Sequence, residues 1–288
     1  MNLPNRIQAR QISEPDIPGV VDLLARGFDA HSKEFWHDAL GRLADHRTPD
    51  GFPKYGYLLE SDGSLVGAIL LIFSRMGDGS SATIRCNLSS WYVEPAFRSY
   101  AGLLAAKALS RKDVTYLNVS AAPHTWPLLK VQGYRRYSEG IFYAAPALQV
   151  RSSSARVTLA GSQSDRSAFG PFERELLSEH SKYGCLSLQC VGADQAYPFV
   201  FRPRLHKGVL PYLQLIYCRD VGDLVRFAGP LGRYLLSRGY PLVALDANGP
   251  IPGLIGQYRH PRQPKFFKGP ERPRLGDLAY TEIAMLGI

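Results

Sequence analysis

One stretch of this chain has the residue types and spacing to hold an anion. Val93-Glu94-Pro95-Ala96-Phe97-Arg98-Ser99-Tyr100-Ala101-Gly102-Leu103-Leu104 leads from a β-rich segment into an Ala- and Leu-rich one. Pro95 stops the strand. A turn that aims successive backbone N–H groups at one spot, followed by a helix N-terminus, is a ready phosphate site. The expected donors are the amides of Arg98, Ser99, Tyr100, Ala101, Gly102 and Leu103, with the Arg98 side chain adding charge. Two titratable groups flank later steps of the chain. Glu94 is the first carboxylate after Arg85-Cys86-Asn87-Leu88-Ser89-Ser90, and His124 opens a short helical segment. Cys86, Cys185, Cys190 and Cys218 form no C-x-x-C pair and are too sparse for a disulfide scaffold, so neither a zinc knuckle nor any other metal centre is expected. Cys185, Cys190 and Cys218 fall on expected strands and read as core.

The second charge feature is Tyr258 to Arg274, with six basic residues against Glu271 and four prolines. It reads as a solvated extended loop, a lid over an anionic substrate, a contact for phosphates, or a docking patch for nucleic acid. No nucleic-acid-binding motif accompanies it, which leaves nucleic acid the minority reading. Phe266-Phe267 inside it is expected to pack on a domain interface or a substrate cleft. The whole chain carries 34 Lys+Arg against 25 Asp+Glu, a net of +9. Residues 1–146 contribute +2 and residues 147–288 contribute +7. Such a balance permits a phosphorylated cofactor, an acidic substrate, nucleic acid or a membrane surface, and does not choose among them.

These residues need elements to position them. At 288 residues, 45% hydrophobic and 20% charged, the chain reads as two folded domains. Its longest apolar run, Leu65 to Phe73, is far short of the ~20 residues of a membrane-spanning helix. The first residues have no secretory core, so a soluble cytoplasmic protein is expected. The first half reads as a strand at Arg6–Ile12, helices at Ile17–Ala25 and Ser32–Leu43, and strands at Tyr55–Glu60 and Leu65–Ser74 about an Asp62-Gly63 turn. A long strand follows at Thr83–Val93, where Trp91-Tyr92-Val93 breaks the alternation and suits a β-bulge. Then come a helix at Leu103–Leu109, a strand at Thr115–Val119, a helix at Pro123–Gln132 capped by Gly133, and a last strand at Ile141–Ala144.

The Val93 to Leu104 segment resembles the acyl-CoA-binding motif of the GCN5-related N-acetyltransferase superfamily, V-x-P-x-x-R-x-x-G-x-G/A. Val119 to Tyr134, with Leu128-Leu129 and Gly133-Tyr134, looks like that family's later strand-helix segment. The resemblance covers roughly residues 6–145. It implies an α/β fold with a mixed sheet, the acyl-CoA N-acyltransferase fold. It also implies a coenzyme A thioester as co-substrate and a small amine as acceptor. The pyrophosphate would lie on the Arg98–Leu103 turn. Pantetheine would lie against Trp91, Tyr92 and Val93, in a gap where that strand splays from the one at Leu117–Val119. The family reaction is direct attack of an amine on the thioester, with a base often supplied as a Glu on the fourth strand and a proton donor often a Tyr on the last helix. Here the corresponding candidates are Glu94 and, since Leu129 stands at the Tyr position, His124. The family's loop glycines are replaced by Ala101, which fits if its φ stays negative, and Leu103, whose bulk crowds the phosphates.

The second half repeats the element order. A linker over 147–155 (within the looser stretch Ala145 to Ala155) is followed by a strand at Arg156–Ala160 and a helix at Phe172–His180. Strands at Cys185–Val191 and Tyr197–Arg202 surround Gly192-Ala193-Asp194-Gln195. Next come a strand at Tyr212–Cys218, a helix at Leu224–Ser237, a strand at Leu242–Leu245 and a final one at Leu278–Leu286. Asn87 to Leu117 and Leu213 to Val243 are both 30 residues apart. We therefore expect a tandem arrangement, an acyl-CoA-binding domain at 1–146 and a degenerate copy at 156–288. Asp220 and Asp223 stand in the copy near the place of the basic turn and would repel phosphate. The leading expectation is an acyltransferase moving an acetyl or longer acyl group to an amine. The alternatives are a non-catalytic acyl-CoA or small-ligand sensor, and a basic module for nucleic acid or a membrane surface.

Overall fold

The computed structural model describes residues 7–149, 155–161, 168–192, 195–206 and 208–288. Arg6, most of the 147–155 linker and the turn residues Ala193 and Asp194 lie outside the described residues. The chain divides into two compact units, one formed by residues 1–76, 82–118 and 268–271, the other by 77–81, 119–267 and 272–288.

The first unit holds β1 (Ile7–Gln11), α1 (Ile17–Gly27), α2 (Lys33–Asp45), β2 (Gly56–Ser61), β3 (Ser64–Met76), β4 (Thr83–Val93), α3 (Ala101–Ala108) and β5 (Val114–Asn118). The strands lie in the order β1-β2-β3-β4-β5. Every pair is antiparallel except β4 with β5, which is parallel. Asp62 and Gly63 both take positive φ in the two-residue β2–β3 turn, the backbone that an Asp-Gly pair favours. In α1, Pro18 sits in the first turn, where a missing N–H costs nothing, and Val20, Val21, Leu23 and Leu24 are buried. In α2, Ser32 caps the helix by accepting from the Phe35 amide, and Trp36, Ala39, Leu40 and Leu43 recur at helical spacing on the buried face. Each large apolar side chain so buried is worth about 1.5–3 kcal/mol.

The second unit holds α4 (Trp126–Val131), β6 (Arg135–Ser138), β7 (Gly140–Ala144), β8 (Arg156–Leu159), α5 (Pro171–Lys182), β9 (Leu186–Val191), β10 (Ala196–His206), β11 (Leu210–Cys218), α6 (Val221–Arg226), α7 (Ala228–Leu236), β12 (Val243–Ala247), β13 (Gly256–Arg259), β14 (Lys265–Lys268) and α8 (Glu282–Met285). Its main sheet runs β13-β7-β12-β11-β10-β9-β8. Again one pair, β11 with β12, is parallel and the others are antiparallel. Phe199, Phe201, Leu213, Leu215, Phe227, Leu231 and Leu245 centre its core.

Four expectations are corrected. The strand at 140–144 does not close the first half, because it hydrogen-bonds to β12 and β13. The helix expected over Leu224–Ser237 is two helices meeting at Phe227. Pro230 has no N–H and its ring opposes the carbonyl four residues back, at Arg226, where α6 ends. The basic stretch is not a loop, since it contains β13 and β14, and Phe266 and Phe267 are buried on β14 beside Trp126 and Tyr137 of the same unit. The strand expected over Leu278–Leu286 is an irregular segment leading to α8, with Tyr280 at positive φ. An apolar run alone does not separate strand from helix.

Candidate functional site

The site is built on β4. Its parallel ladder with β5 runs from Ile84↔Val114 to Asn87↔Leu117 and ends there. β4 continues to Val93 paired only with β3 among the described residues, reaching Gly67↔Val93. In that continuation Leu70 faces Ser89 and Ala68 faces Tyr92, so Ser90 and Trp91 together stand against Ile69. This is the expected bulge, with Ser90 at φ 42°. The bulge follows the end of the parallel ladder, and β5 itself stops at Asn118.

Two buried polar atoms on this strand have no hydrogen-bond partner among the described residues, Asn87 Oδ1 and Trp91 Nε1. Asn87 is 1% exposed, and its Nδ2 donates to the Leu88 carbonyl at 3.2 Å, which fixes which end of the amide is unpaired. An unsatisfied buried acceptor costs about 1–3 kcal/mol, and such groups call for an explanation. One acceptor at the end of the ladder and one donor in the bulge suit a ligand that carries amides of its own.

Beyond β4, Glu94 begins a 3-10 turn over Pro95–Tyr100 that runs directly into α3 at Ala101. The helix starts two residues earlier than expected. Ala101 sits at φ −54°, so the absent glycine costs nothing there, and its amide bonds to the Arg98 carbonyl. Tyr100 is the residue before the helix and provides no side-chain cap. Arg98, Ser99 and Gly102 lie along this exposed turn. Leu103 is 44% exposed and lines a shallow apolar depression with Ile7, Ala9 and Ala106.

Glu94 Oε1 pairs with Arg26 at 2.9 Å. The Glu94 amide donates to the Val66 carbonyl. The carboxylate is therefore tied to the end of α1. His124 is exposed on the 3-10 turn before α4, in the second unit. Leu129 is buried, and Gly133, at positive φ, closes α4 as expected, with the Tyr134 amide bonded to the Leu129 carbonyl.

Sequence reasoning missed an aromatic group beside the bulge. Tyr92 packs against Gly27, where an added Cβ would lie 2.3 Å from its ring, and against Phe28 at 6.2 Å between ring centres. Phe28 meets Trp36 at 5.5 Å, and His31 stacks on Phe35 at 4.2 Å. The indole N–H of Trp36 is a further buried donor without a partner among the described residues. The i, i+3, i+7 and i+8 spacing of Phe28, His31, Phe35 and Trp36 was the available signal.

All four cysteines are buried and none is in a disulfide. Burial pushes the Cys190 and Cys218 thiols up to about 12, so neither is a nucleophile. No group of three or more His, Cys, Asp or Glu suited to a metal occurs among the described residues. No described helix is long and apolar enough to cross a membrane.

This arrangement, a parallel pair whose ladder ends ahead of a bulge, with a turn and helix beyond it, matches the fold of the GCN5-related N-acetyltransferases. Solved structures bear that out. The chain is similar to a GCN5-related N-acetyltransferase from Anabaena variabilis, at 11% identity over 91% of this chain and 72% of that one, with a TM-score of 0.58. A GCN5-related N-acetyltransferase from Kribbella flavida gives 16% identity over 91% and 70%, with a TM-score of 0.54. Eis1 from Mycobacterium abscessus gives 14% over 95% and 74%, with a TM-score of 0.52. No family model and no curated protein matches the chain.

Proposed function

We propose that this protein is an acyltransferase that moves an acetyl or longer acyl group from coenzyme A to an amine. The observation that carries the reading is β4 beyond Asn87: strand backbone released from β5, a bulge at Ser90–Trp91, and the two unpartnered polar atoms Asn87 Oδ1 and Trp91 Nε1. An extended thioester arm with amide groups matches that backbone and those atoms. Trp91, Tyr92 and Val93 would contact pantetheine. The Arg98–Leu103 turn would hold the pyrophosphate, with the exposed Arg98 guanidinium as its cation.

In the reaction the amine nitrogen attacks the thioester carbon, the C–S bond breaks, and the amine proton must leave. We assign Glu94 as the proton acceptor; His124, the residue expected as donor to the departing thiolate, is carried by the second unit. The half-exposed rings of Phe28, His31 and Phe35 are proposed to face the acceptor. The domain expected at 156–288 is read as a worn copy of the one expected at 1–146, with the strand at 140–144 belonging to the second unit's sheet. Its support is the repeated strand order and the repeated 30-residue parallel pairing, Asn87↔Leu117 and Leu213↔Val243. A cytoplasmic setting is part of the same proposal.

Calorimetry with acetyl-CoA and longer acyl-CoAs tests this reading. Binding is expected and Arg98→Glu abolishes it, since a carboxylate replaces the cation facing the phosphates. Absence of binding to any acyl-CoA sinks the proposal. Tight binding without turnover across an amine panel converts it to the sensor reading, which the exposed Leu103 and the Arg26-bound Glu94 favour.

A further inference from the structure

The two parallel ladders correspond at a constant separation. Asn87 and Leu213 are 126 residues apart, as are Leu117 and Val243. The bulges keep that separation. In the second unit Phe201 faces Leu215 and Val200 faces Tyr217, which makes Ile216 the extra residue, and Ile216 is 126 after Ser90. So do the N-cap residues of the helical turns that follow, Glu94 and Asp220. The β11–β12 ladder also ends early, at Gln214↔Ala244. Beyond it, β11 has the same released backbone that β4 has.

That backbone is taken. The Leu278 amide donates to the Ile216 carbonyl at 2.7 Å and the Cys218 amide donates to the Gly276 carbonyl at 2.9 Å, with Tyr217 and Asp277 bridged antiparallel between them. Arg274 secures the approach by donating to the Cys218 carbonyl, lying over the Tyr217 ring and pairing with Asp277. Gly276 has φ 75°, and a Cβ there would stand 2.7 Å from Cys218 Sγ, so the close approach needs glycine. Asp220, in register with Glu94, caps α6 by accepting from the Gly222 amide at 2.6 Å.

We propose that Gly276–Leu278 is an intramolecular stand-in for the thioester arm, which closes the second unit's strand gap and leaves one acyl-CoA site per chain. The proposal rests on the acyl-CoA reading of the first unit. Loss of charge complementarity alone would leave a weakened gap, whereas a hydrogen-bonded segment leaves none. The Ile216 carbonyl and the Cys218 amide and carbonyl are already satisfied, so a ligand would have to displace the buried Gly276–Leu278 segment to reach them.

The test is calorimetry on the full chain with acetyl-CoA, joined to amide hydrogen exchange. One equivalent per chain, none in Arg98→Glu, and slow exchange at Cys218 and Leu278 that acetyl-CoA does not change are the expected results. Two equivalents, or ligand-dependent exchange at Gly276–Leu278, would overturn the closure while leaving the first site standing, whereas a single equivalent that survives Arg98→Glu overturns the assignment of the phosphate turn on which the closure rests. Fast exchange at Cys218 and Leu278 in the free protein overturns it as well. No binding by the unaltered chain overturns the acyl-CoA reading itself, and the closure with it.

Discussion

Replacing Asn87 with leucine separates a residue kept for a ligand from one kept for the fold. Asn87 is 1% exposed, its Oδ1 has no partner among the described residues, and its Nδ2 makes one bond, to the Leu88 carbonyl. Leucine has a similar size and no polar atoms. It removes an unsatisfied acceptor worth about 1–3 kcal/mol of strain on the folded state, and gives up one neutral hydrogen bond worth about 0.5–1.5 kcal/mol. The net expectation for the free protein runs from unchanged to roughly 2 kcal/mol more stable, opposite in sign to the usual effect of altering a buried polar residue. If Oδ1 accepts from the thioester arm, the same change weakens acyl-CoA binding about tenfold or more, that is by about 1.4 kcal/mol. Urea unfolding gives the first quantity and calorimetry the second. A variant that loses stability by more than 2 kcal/mol and binds acyl-CoA as before would refute the reasoning, because Asn87 would then be structural and the ladder's end would have another cause.

Lys265 and Asp246 form a buried ion pair at 3.2 Å, each about 2% exposed, and Lys265 Nζ also donates to the Val119 carbonyl. Lys265→Met is expected to cost about 3–5 kcal/mol at pH 8, and Lys265→Met with Asp246→Leu to recover most of it, measured by urea unfolding. Burial raises the Asp246 carboxyl above its ordinary value while Lys265 restrains it. In the single variant the folded state therefore holds a proton the unfolded state releases, and the cost shrinks as pH falls toward the ordinary carboxyl value. His46 is buried, with Nε2 2.8 Å from the Phe73 carbonyl, and burial lowers its pKa below the ordinary 6.5. The unfolded chain then protonates first, so melting temperature falls as pH drops below about 6.5, and His46→Asn should flatten that slope. An aromatic disulfide reagent should find no reactive thiol in the native protein and four after denaturation; a fast native thiol would contradict the burial of the cysteines.

How much was legible depended on how far apart the deciding residues lie. The Asp62-Gly63 turn, the Ser32 cap and the bulge at Ser90–Trp91 are decided within a few residues, and each is visible in local spacing. The 30-residue interval between parallel strands was visible because it is a separation, which sequence preserves. β14 was hidden because Lys-Phe-Phe-Lys carries no alternation. It is a strand because of its partners in the sheet, β6 among them, and Asp246 receives Lys265. The break between α6 and α7 was written in Pro230 and was overlooked. The unpartnered state of Asn87 and Trp91 is a property of their surroundings, so residue type alone does not disclose it.

The same distinction settles what the basic excess is worth. Counted along the sequence, Tyr258 to Arg274 offers six cations to a polyanion. In the structure Lys265 is spent on Asp246 and the Val119 carbonyl, and Arg274 on Asp277, the Cys218 carbonyl and the Tyr217 ring. Arg262 lies over Tyr143. Elsewhere in the half with the larger charge, Arg219 is bidentate to Glu173 and Arg226 covers Phe227. A site that binds nucleic acid needs guanidinium and ammonium groups that are presented together and still solvated before contact. These five groups are engaged within the second unit, while Arg259 and Arg272 of the basic stretch are exposed. The exposed Arg98 stands at the end of β4 beside the released backbone, so the proposed anion site draws on that one charge and not on the six of the cluster.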